Sequence, residues 1–343
     1  MKIYVSPCNP MMMYRIDQLY DWAKLAQPQI HTFTEDPEEA DIIFVPDTLF
    51  TYHHNRQFLY KFLHKCYALD CADRPHLIIP GLYASAIKFF HKHRVRGCSY
   101  LFNRHRRNAF LNSEPEVSDR NSSGLNNQKQ YLFSFIGGST SWVRKRLLKL
   151  NFQRDDVVVR CSTGTYNHWS DEQQNREAIQ KSYVEVIRQS KFALCPRGIG
   201  SNSIRLFEVM ELGVAPIIIS DVWLPPSGPD WQSFALFVKE SAIDNLVAIA
   251  ERHISESEER GRLAREAWEQ YFSDPFCFNR CIEVIEELSQ SRIPVLDKVI
   301  LYCYPLVIFG IQCKELVREW LRVSILFVFR VFSLKFPYEV ERD

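Results

Sequence analysis

The sequence lacks an excess of charge of either sign. Its 42 lysines and arginines stand against 41 aspartates and glutamates, a net +1. No field spread over the whole surface therefore draws in nucleic acid, and electrostatic specificity has to be local. A cysteine framework is lacking too. The ten cysteines include no Cys-x-x-Cys pair and no Cys/His ligand run. So dispersed a set reads as reduced, small apolar residues, and a structural zinc site is not expected. The opening MKIYVSPCNP has no basic head followed by a long apolar run. A signal peptide or signal anchor is therefore not expected, and the expected compartment is the cytoplasm. Asn121-Ser122-Ser123 fits a glycosylation sequon, a pattern frequent by chance.

What is present describes a globular protein of two domains. The chain has 343 residues, 46% hydrophobic and 24% charged, with a mean hydropathy of −0.23. Short apolar runs alternate with longer helical patterns, which predicts an α/β architecture with parallel strands. Ile3–Val5, Ile42–Val45 and Leu77–Ile79 read as strands, with amphipathic stretches at Ile16–Leu25 and Arg56–Tyr67. Asn112–Gln130 is polar and rich in Asn and Ser, the signature of a linker. The pattern then restarts. Tyr131–Ile136, Val157–Arg160, Phe192–Cys195 and Ala215–Ser220 read as strands. Ser141–Leu150, Asn175–Gln189, Ser203–Leu212, Glu240–His253 and Glu256–Tyr271 read as helices. The expected division is 1–125, 126–285 and an apolar helical tail over 286–343.

The tail admits two readings. Val299–Cys313 and Val323–Leu334 are nearly uncharged, but neither reaches the roughly 20 apolar residues of a spanning helix. One reading packs them as helices across the domains. The other docks them on a membrane surface, with Arg318, Arg322 and Arg330 at the headgroups.

The stretch richest in chemistry is Lys191–Asp221, KFALCPRGIGSNSIRLFEVMELGVAPIIISD. A strand ends at Cys195, Gly198 and Gly200 permit a tight turn, and Ser201-Asn202-Ser203 offer N-caps. The loop so formed lies at the carboxyl end of a strand, where open α/β sheets bind ligands. Backbone N–H groups at the helix start suit a diphosphate, and Arg197 adds a cation of forked geometry. Arg205, Glu208 and Glu211 form the polar stripe of a helix otherwise apolar on its faces. Glu208 is placed to accept two hydrogen bonds from a ribose diol, in preference to a surface pair with Arg205.

These residues resemble the donor-binding core of the exostosin-type glycosyltransferases, a GT-B family. The matching residues are Phe192–Gly198, Ser203, Arg205-Leu206-Phe207-Glu208, Gly213, Pro216-Ile217-Ile218 and Ser220-Asp221. Asp36–Pro46 resembles the family's N-terminal segment, and Tyr131–Gly137 with Arg144 its later strand and turn. Leu224-Pro225 and Trp231–Phe234 continue the likeness, which covers about residues 1–275.

The resemblance implies two Rossmann-like domains facing a cleft, and transfer of a sugar from a UDP-sugar to a glycan or lipid-linked glycan with inversion. By this resemblance Arg197, Ser203 and Glu208 hold the diphosphate and ribose, Arg205 supports Glu208 or reaches a phosphate, and Asp221 faces the cleft; with Gly138, Arg144, Gly198, Gly200, Ser201 and Asn202 these are the candidate donor-binding residues. Two departures stand out. The family's Asp-His-Phe block is reduced to Asp73-Arg74-Pro75-His76, and an N-terminal membrane anchor like that of eukaryotic members is not expected.

An inverting transferase needs a base for the acceptor hydroxyl and a partner for the leaving diphosphate. Asp47, directly after a strand, and His54 are the candidate bases. Arg197 is the candidate leaving-group partner. No Asp-x-Asp occurs, so a metal ion need not be invoked and no cofactor is expected beyond the UDP-sugar substrate.

Lys88–Arg107 carries seven Lys/Arg, three His and no acid. It reads as a solvated face, or as contact with an anionic acceptor or an anionic membrane; nucleic acid is not expected as a partner. Two other functions fit the same features: a GDP-sugar fucosyltransferase-like enzyme, and a catalytically silent nucleotide-sugar-binding partner.

Overall fold

The computed structural model of the chain describes residues 1–10, 13–46, 50–51, 54–68, 95–96, 129–163, 176–198, 203–221, 223–225 and 228–290. Their strands are β1 (Lys2–Val5), β2 (Thr32–Phe33), β3 (Ile42–Val45), β4 (Cys66–Ala68), β5 (Val95–Arg96), β6 (Tyr131–Gly137), β7 (Val157–Cys161), β8 (Ser190–Pro196), β9 (Ala215–Ile219), β10 (Trp223–Leu224) and β11 (Leu236–Val238). The α-helices are α1 (Met13–Leu25), α2 (Arg56–Phe62), α3 (Trp142–Leu147), α4 (Arg176–Arg188), α5 (Arg205–Glu211), α6 (Trp231–Phe234), α7 (Leu246–Arg252), α8 (Ser257–Tyr271) and α9 (Asp274–Gln290).

Every strand pairing is parallel. Parallel neighbours need long crossovers, so helices lie over the sheets and strands are buried on both faces. All four residues of β3 and all five of β9 are buried accordingly. The N-terminal sheet has the order β2-β1-β3-β4, and the C-terminal sheet β11-β9-β8-β6-β7. A short third pairing joins β10 to β5, with Trp223 opposite Val95. Two separate parallel sheets flanked by helices are what the expected α/β class requires.

The C-terminal sheet packs one face under α3 and α7, where Phe133, Phe135, Phe192, Leu194, Ile217 and Ile219 meet Val143, Leu147, Leu246 and Ala250. Its other face joins a larger core shared with the N-terminal half. There Leu19, Trp22 and Ala26 of α1 belong to one cluster with Cys277, Phe278, Cys281 and Ile282 of α9. Asn279 donates to the carbonyl of Pro28 at 2.9 Å, and Gln27 N–H to that of Pro275 at 2.7 Å. The last described helix thus ties the second half of the chain to the first, and it runs across position 285.

α5 ends in a two-bond C-cap. Gly213 N–H bonds the Met210 carbonyl and Val214 N–H the Val209 carbonyl, with Gly213 at φ +67°. The close crossing of α8 also needs glycine: a Cβ on Gly261 would collide with the Gly213 carbonyl.

Several elements differ from expectation. The stretch Arg56–Tyr67 is a helix only to Phe62; a 3-10 turn over Leu63–Lys65 follows, then β4, because Cys66 to Ala68 pair with β3. The helix expected from Ser203 begins at Arg205. The one expected from Glu240 opens as a 3-10 turn over Glu240–Asn245. Leu77–Ile79, the tail beyond 290, the basic stretch except Val95–Arg96 and the linker except Lys129–Gln130 lie outside the described residues. Among the described residues, no helix is long and apolar enough to cross a membrane.

Candidate functional site

In the C-terminal sheet the chain leaves β6 first to β7 on one side, then to β8 on the other. The sheet order reverses between β6 and β8, and the carboxyl ends of two such strands open a crevice suited to a ligand. β6 ends in Gly137, followed by Gly138; β8 ends in Pro196, followed by Arg197 and Gly198. Arg144, Arg197, Arg205, Glu208 and Asp221, singled out in the sequence, converge on this point.

Ser141 closes the first side of it. Its hydroxyl caps α3 by accepting from Arg144 N–H at 3.2 Å and donates to the Arg197 carbonyl at 2.9 Å. Arg144 reaches from α3 across to the β8 loop. Its Nε and Nη2 each donate to the Pro196 carbonyl at 3.2 Å, and Nη2 also to Ser203 Oγ at 3.3 Å. A serine expected to cap the next helix is therefore an acceptor for Arg144, and Ile204 stands at the cap with no side-chain bond. The expected serine cap on this helix is therefore not formed: α5 starts at Arg205 with no side-chain cap bond.

Arg205 and Glu208 are not a surface stripe. They are 7% and 9% exposed and joined through a third residue. Arg205 Nε donates to Tyr183 Oη at 3.1 Å, and Tyr183 Oη donates to Glu208 Oε2 at 2.6 Å. Arg205 Nη2 also donates to the Ile136 carbonyl, and its guanidinium lies 4.4 Å from the Phe135 ring centroid. The helix turns these two inward because the chain buries its remaining faces as well, and a buried charge needs such partners. Gly137 makes the arrangement possible: a Cβ there would stand 2.7 Å from Arg205 Nη2 and 3.0 Å from Phe135 Cζ.

Arg197 is bound to a residue absent from the sequence-based set. Its Nε donates to Glu240 Oε1 at 2.6 Å and its Nη2 to Oε2 at 3.4 Å. Glu240 N–H donates to Asp221 Oδ1 at 3.0 Å, and Asp221 N–H returns a bond to Glu240 Oε1 at 3.2 Å. Asp221 is exposed at the end of β9. Burial pushes the neighbouring Cys195 thiol up to about 12, so it stays protonated and is no nucleophile.

Gly138, Arg144, Arg197, Gly198, Ser203, Arg205, Glu208 and Asp221 are thus gathered around one strand crossover. Gly200, Ser201, Asn202 and Asp47 lie outside the described residues. His54 belongs to the N-terminal half. It is exposed, stacks on Phe50 at 4.2 Å, and donates through Nδ1 to the Phe50 carbonyl at 3.0 Å. That bond leaves Nε2 as the basic nitrogen of the neutral ring. Sequence reasoning missed Tyr183 and Glu240. Glu240 carried one usable signal, a carboxylate just past the short apolar run Leu236–Val238; Tyr183 carried none. Among the described residues, no group of His, Cys, Asp and Glu forms a metal-ligand cluster.

A doubly wound parallel sheet with ionisable side chains at its switch point defines an α/β protein of the ligand-binding, Rossmann-like kind. Within that class, residues 107–253 match the Exostosin GT47 domain, and the resemblance read from the sequence holds over that span. The chain is 32% identical over 168 residues to an Exostosin-1 homolog of Caenorhabditis elegans, covering 44% of each. It is 28% identical over 182 residues to Exostosin-1 of Drosophila melanogaster, covering 48% of this chain and 23% of that one. The chain thus spans less than half the length of these curated relatives. Among solved structures it is similar to an alpha1,3-fucosyltransferase, at a TM-score of 0.41 and 12% identity over 84% of this chain and 90% of that one.

Proposed function

We propose that the chain is a GT-B glycosyltransferase of the exostosin type. It takes a sugar from a UDP-sugar and gives it, with inversion, to a glycan or lipid-linked glycan in polysaccharide synthesis. The observation that carries this reading is the convergence of Arg144, Arg197, Ser203 and Glu208 on the β6/β8 crossover of an Exostosin GT47 domain.

In this reading Glu208 receives the ribose hydroxyls, its Oε2 already fixed by Tyr183. The diphosphate lies between Gly138 and the Arg197-Gly198 turn. An acceptor hydroxyl attacks the anomeric carbon as the bond from that carbon to the phosphate oxygen breaks. The hydroxyl proton passes to Asp47 or His54, and UDP leaves against Arg197. The charge of the leaving group is met by arginine without a metal ion. The apolar tail and the basic stretch give the enzyme peripheral contact with a membrane at its inner face. Deleting residues 299–343 then releases it from anionic vesicles; unaltered vesicle binding contradicts that contact.

The test is a thermal-shift and calorimetric panel of UDP, GDP, CDP and their sugars, with and without EDTA. Selective stabilisation by a UDP-sugar, indifferent to EDTA, is expected. Preference for GDP-sugars, or no response to any nucleotide, contradicts the reading. Arg197→Ala is expected to lower transfer more than donor affinity. Equal losses make Arg197 a binding residue only.

A further inference from the structure

Glu240 has no part in the donor site as drawn above, yet it is held from several sides. It is 4% exposed and receives Arg197 Nε, Arg197 Nη2 and Asp221 N–H. Its own backbone N–H is fixed by Asp221 Oδ1. These contacts join the ends of three strands, since Arg197 follows β8, Asp221 follows β9 and Glu240 follows β11. β9 lies between the other two in the sheet, so the carboxylate is set by the sheet itself.

A buried ion pair is weak support for a fold, because desolvating both charges offsets much of their attraction. What such a pair does well is fix a direction. Glu240 takes the Nε/Nη2 edge of the guanidinium. Nη1 takes no hydrogen bond within the described residues, and the Arg197 side chain stays 18% exposed. An arginine on an open turn otherwise samples many rotamers, and ordering it on a ligand costs affinity.

Resting on the donor reading above, we infer that Glu240 is a positioning residue: it holds Arg197 so that the guanidinium edge left free meets the diphosphate of a nucleotide. Glu240 touches no ligand itself. Asp221, read from the sequence as a donor contact, acts in this arrangement as the brace of Glu240.

Geometry and charge are separated by two substitutions, with UDP and uridine as probes measured by calorimetry. Glu240→Asp keeps the charge and draws Arg197 back by one methylene. Glu240→Gln keeps the length and the acceptor for Arg197 Nε, and removes the charge. The expected result is that Glu240→Asp weakens UDP by about five- to tenfold and leaves uridine unchanged. Glu240→Gln is expected to stay within about threefold of the parent for both probes. In an Arg197→Ala background, Glu240→Asp is expected to have no further effect on UDP, because the residue it acts through is gone. Three results overturn the inference: parallel loss of UDP and uridine in Glu240→Asp, a larger UDP effect in Glu240→Gln than in Glu240→Asp, or an undiminished effect without Arg197. If the parent protein binds neither probe, the donor reading fails first, and that is read before any variant is made. Should Glu240→Asp fold poorly, Asp221→Asn, which keeps an acceptor for Glu240 N–H, is expected to spare both probes, whereas Asp221→Ala is expected to lower UDP alone.

Discussion

The carboxyl ends of β6 and β8 can be set beside those of β1 and β3, for both pairs flank the point where their sheet reverses order. After β6 and β8 come Gly137-Gly138 and Pro196-Arg197-Gly198, with Arg144, Arg205, Glu208 and Glu240 locked around them. After β1 and β3 come the described residues Ser6–Pro10 and Pro46, which carry no charge, and in sequence Asp47 follows next. The Ser6 hydroxyl is fully buried without a hydrogen-bond partner. Among the described residues, these two crossovers of the same topology differ in the charge that lines them. At the C-terminal one, every described charge has a partner from a distant element, so its direction is set before a ligand arrives. That is what binding a charged donor demands, and a neutral sugar hydroxyl demands much less of it.

The comparison can be broken by substitutions on both sides. Glu208→Ala has the largest expected effect, a loss of ~1.5–3 kcal/mol in UDP binding by calorimetry if the carboxylate holds the ribose. Gly137→Ala follows, with an expected stability loss of ~1–3 kcal/mol, seen as a lowered Tm. The added methyl stands 2.7 Å from Arg205 Nη2 and has to displace a packed guanidinium. Tyr183→Phe removes the bridge between Arg205 and Glu208, and about 0.5–1.5 kcal/mol of UDP affinity is expected to go with it. Smallest of all is Ser6→Ala. It deletes a buried hydroxyl that makes no hydrogen bond, so the expected change in stability is within ~0.5 kcal/mol or slightly favourable, with UDP binding untouched. A large loss of UDP affinity in Ser6→Ala would erase the distinction between the crossovers.

Which parts of this were legible in the sequence follows from the range of the interactions. β6, β8 and β9 are apolar runs closed by glycine or polar turns, and local pattern is enough to find them. Gly213 was legible as a helix stop for the same reason. β4 was hidden because Cys66 to Ala68 continue the amphipathic pattern of α2, and only pairing with β3 makes them a strand. Nothing local in the sequence tells that the apolar face of α9 meets α1 from the other end of the chain. In the site, the residue types were legible and their partners were not. Arg197 is legible as a forked cation at the turn, but its tie to Glu240, 43 positions away, is not. Arg205 and Glu208 read as a polar surface stripe, whereas they meet in the interior through Tyr183, 25 positions before Glu208. Periodicity states which side chains share a face; it does not state what the face meets.

The central claim is that a UDP-sugar binds across the β6/β8 crossover. A crystal structure of the protein with UDP tests it most directly. The account predicts the ribose on Glu208 and the diphosphate between Gly138 and Arg197, with Arg197 still paired to Glu240. Nucleotide bound elsewhere, or an Arg197 that leaves Glu240 to reach it, would contradict the account.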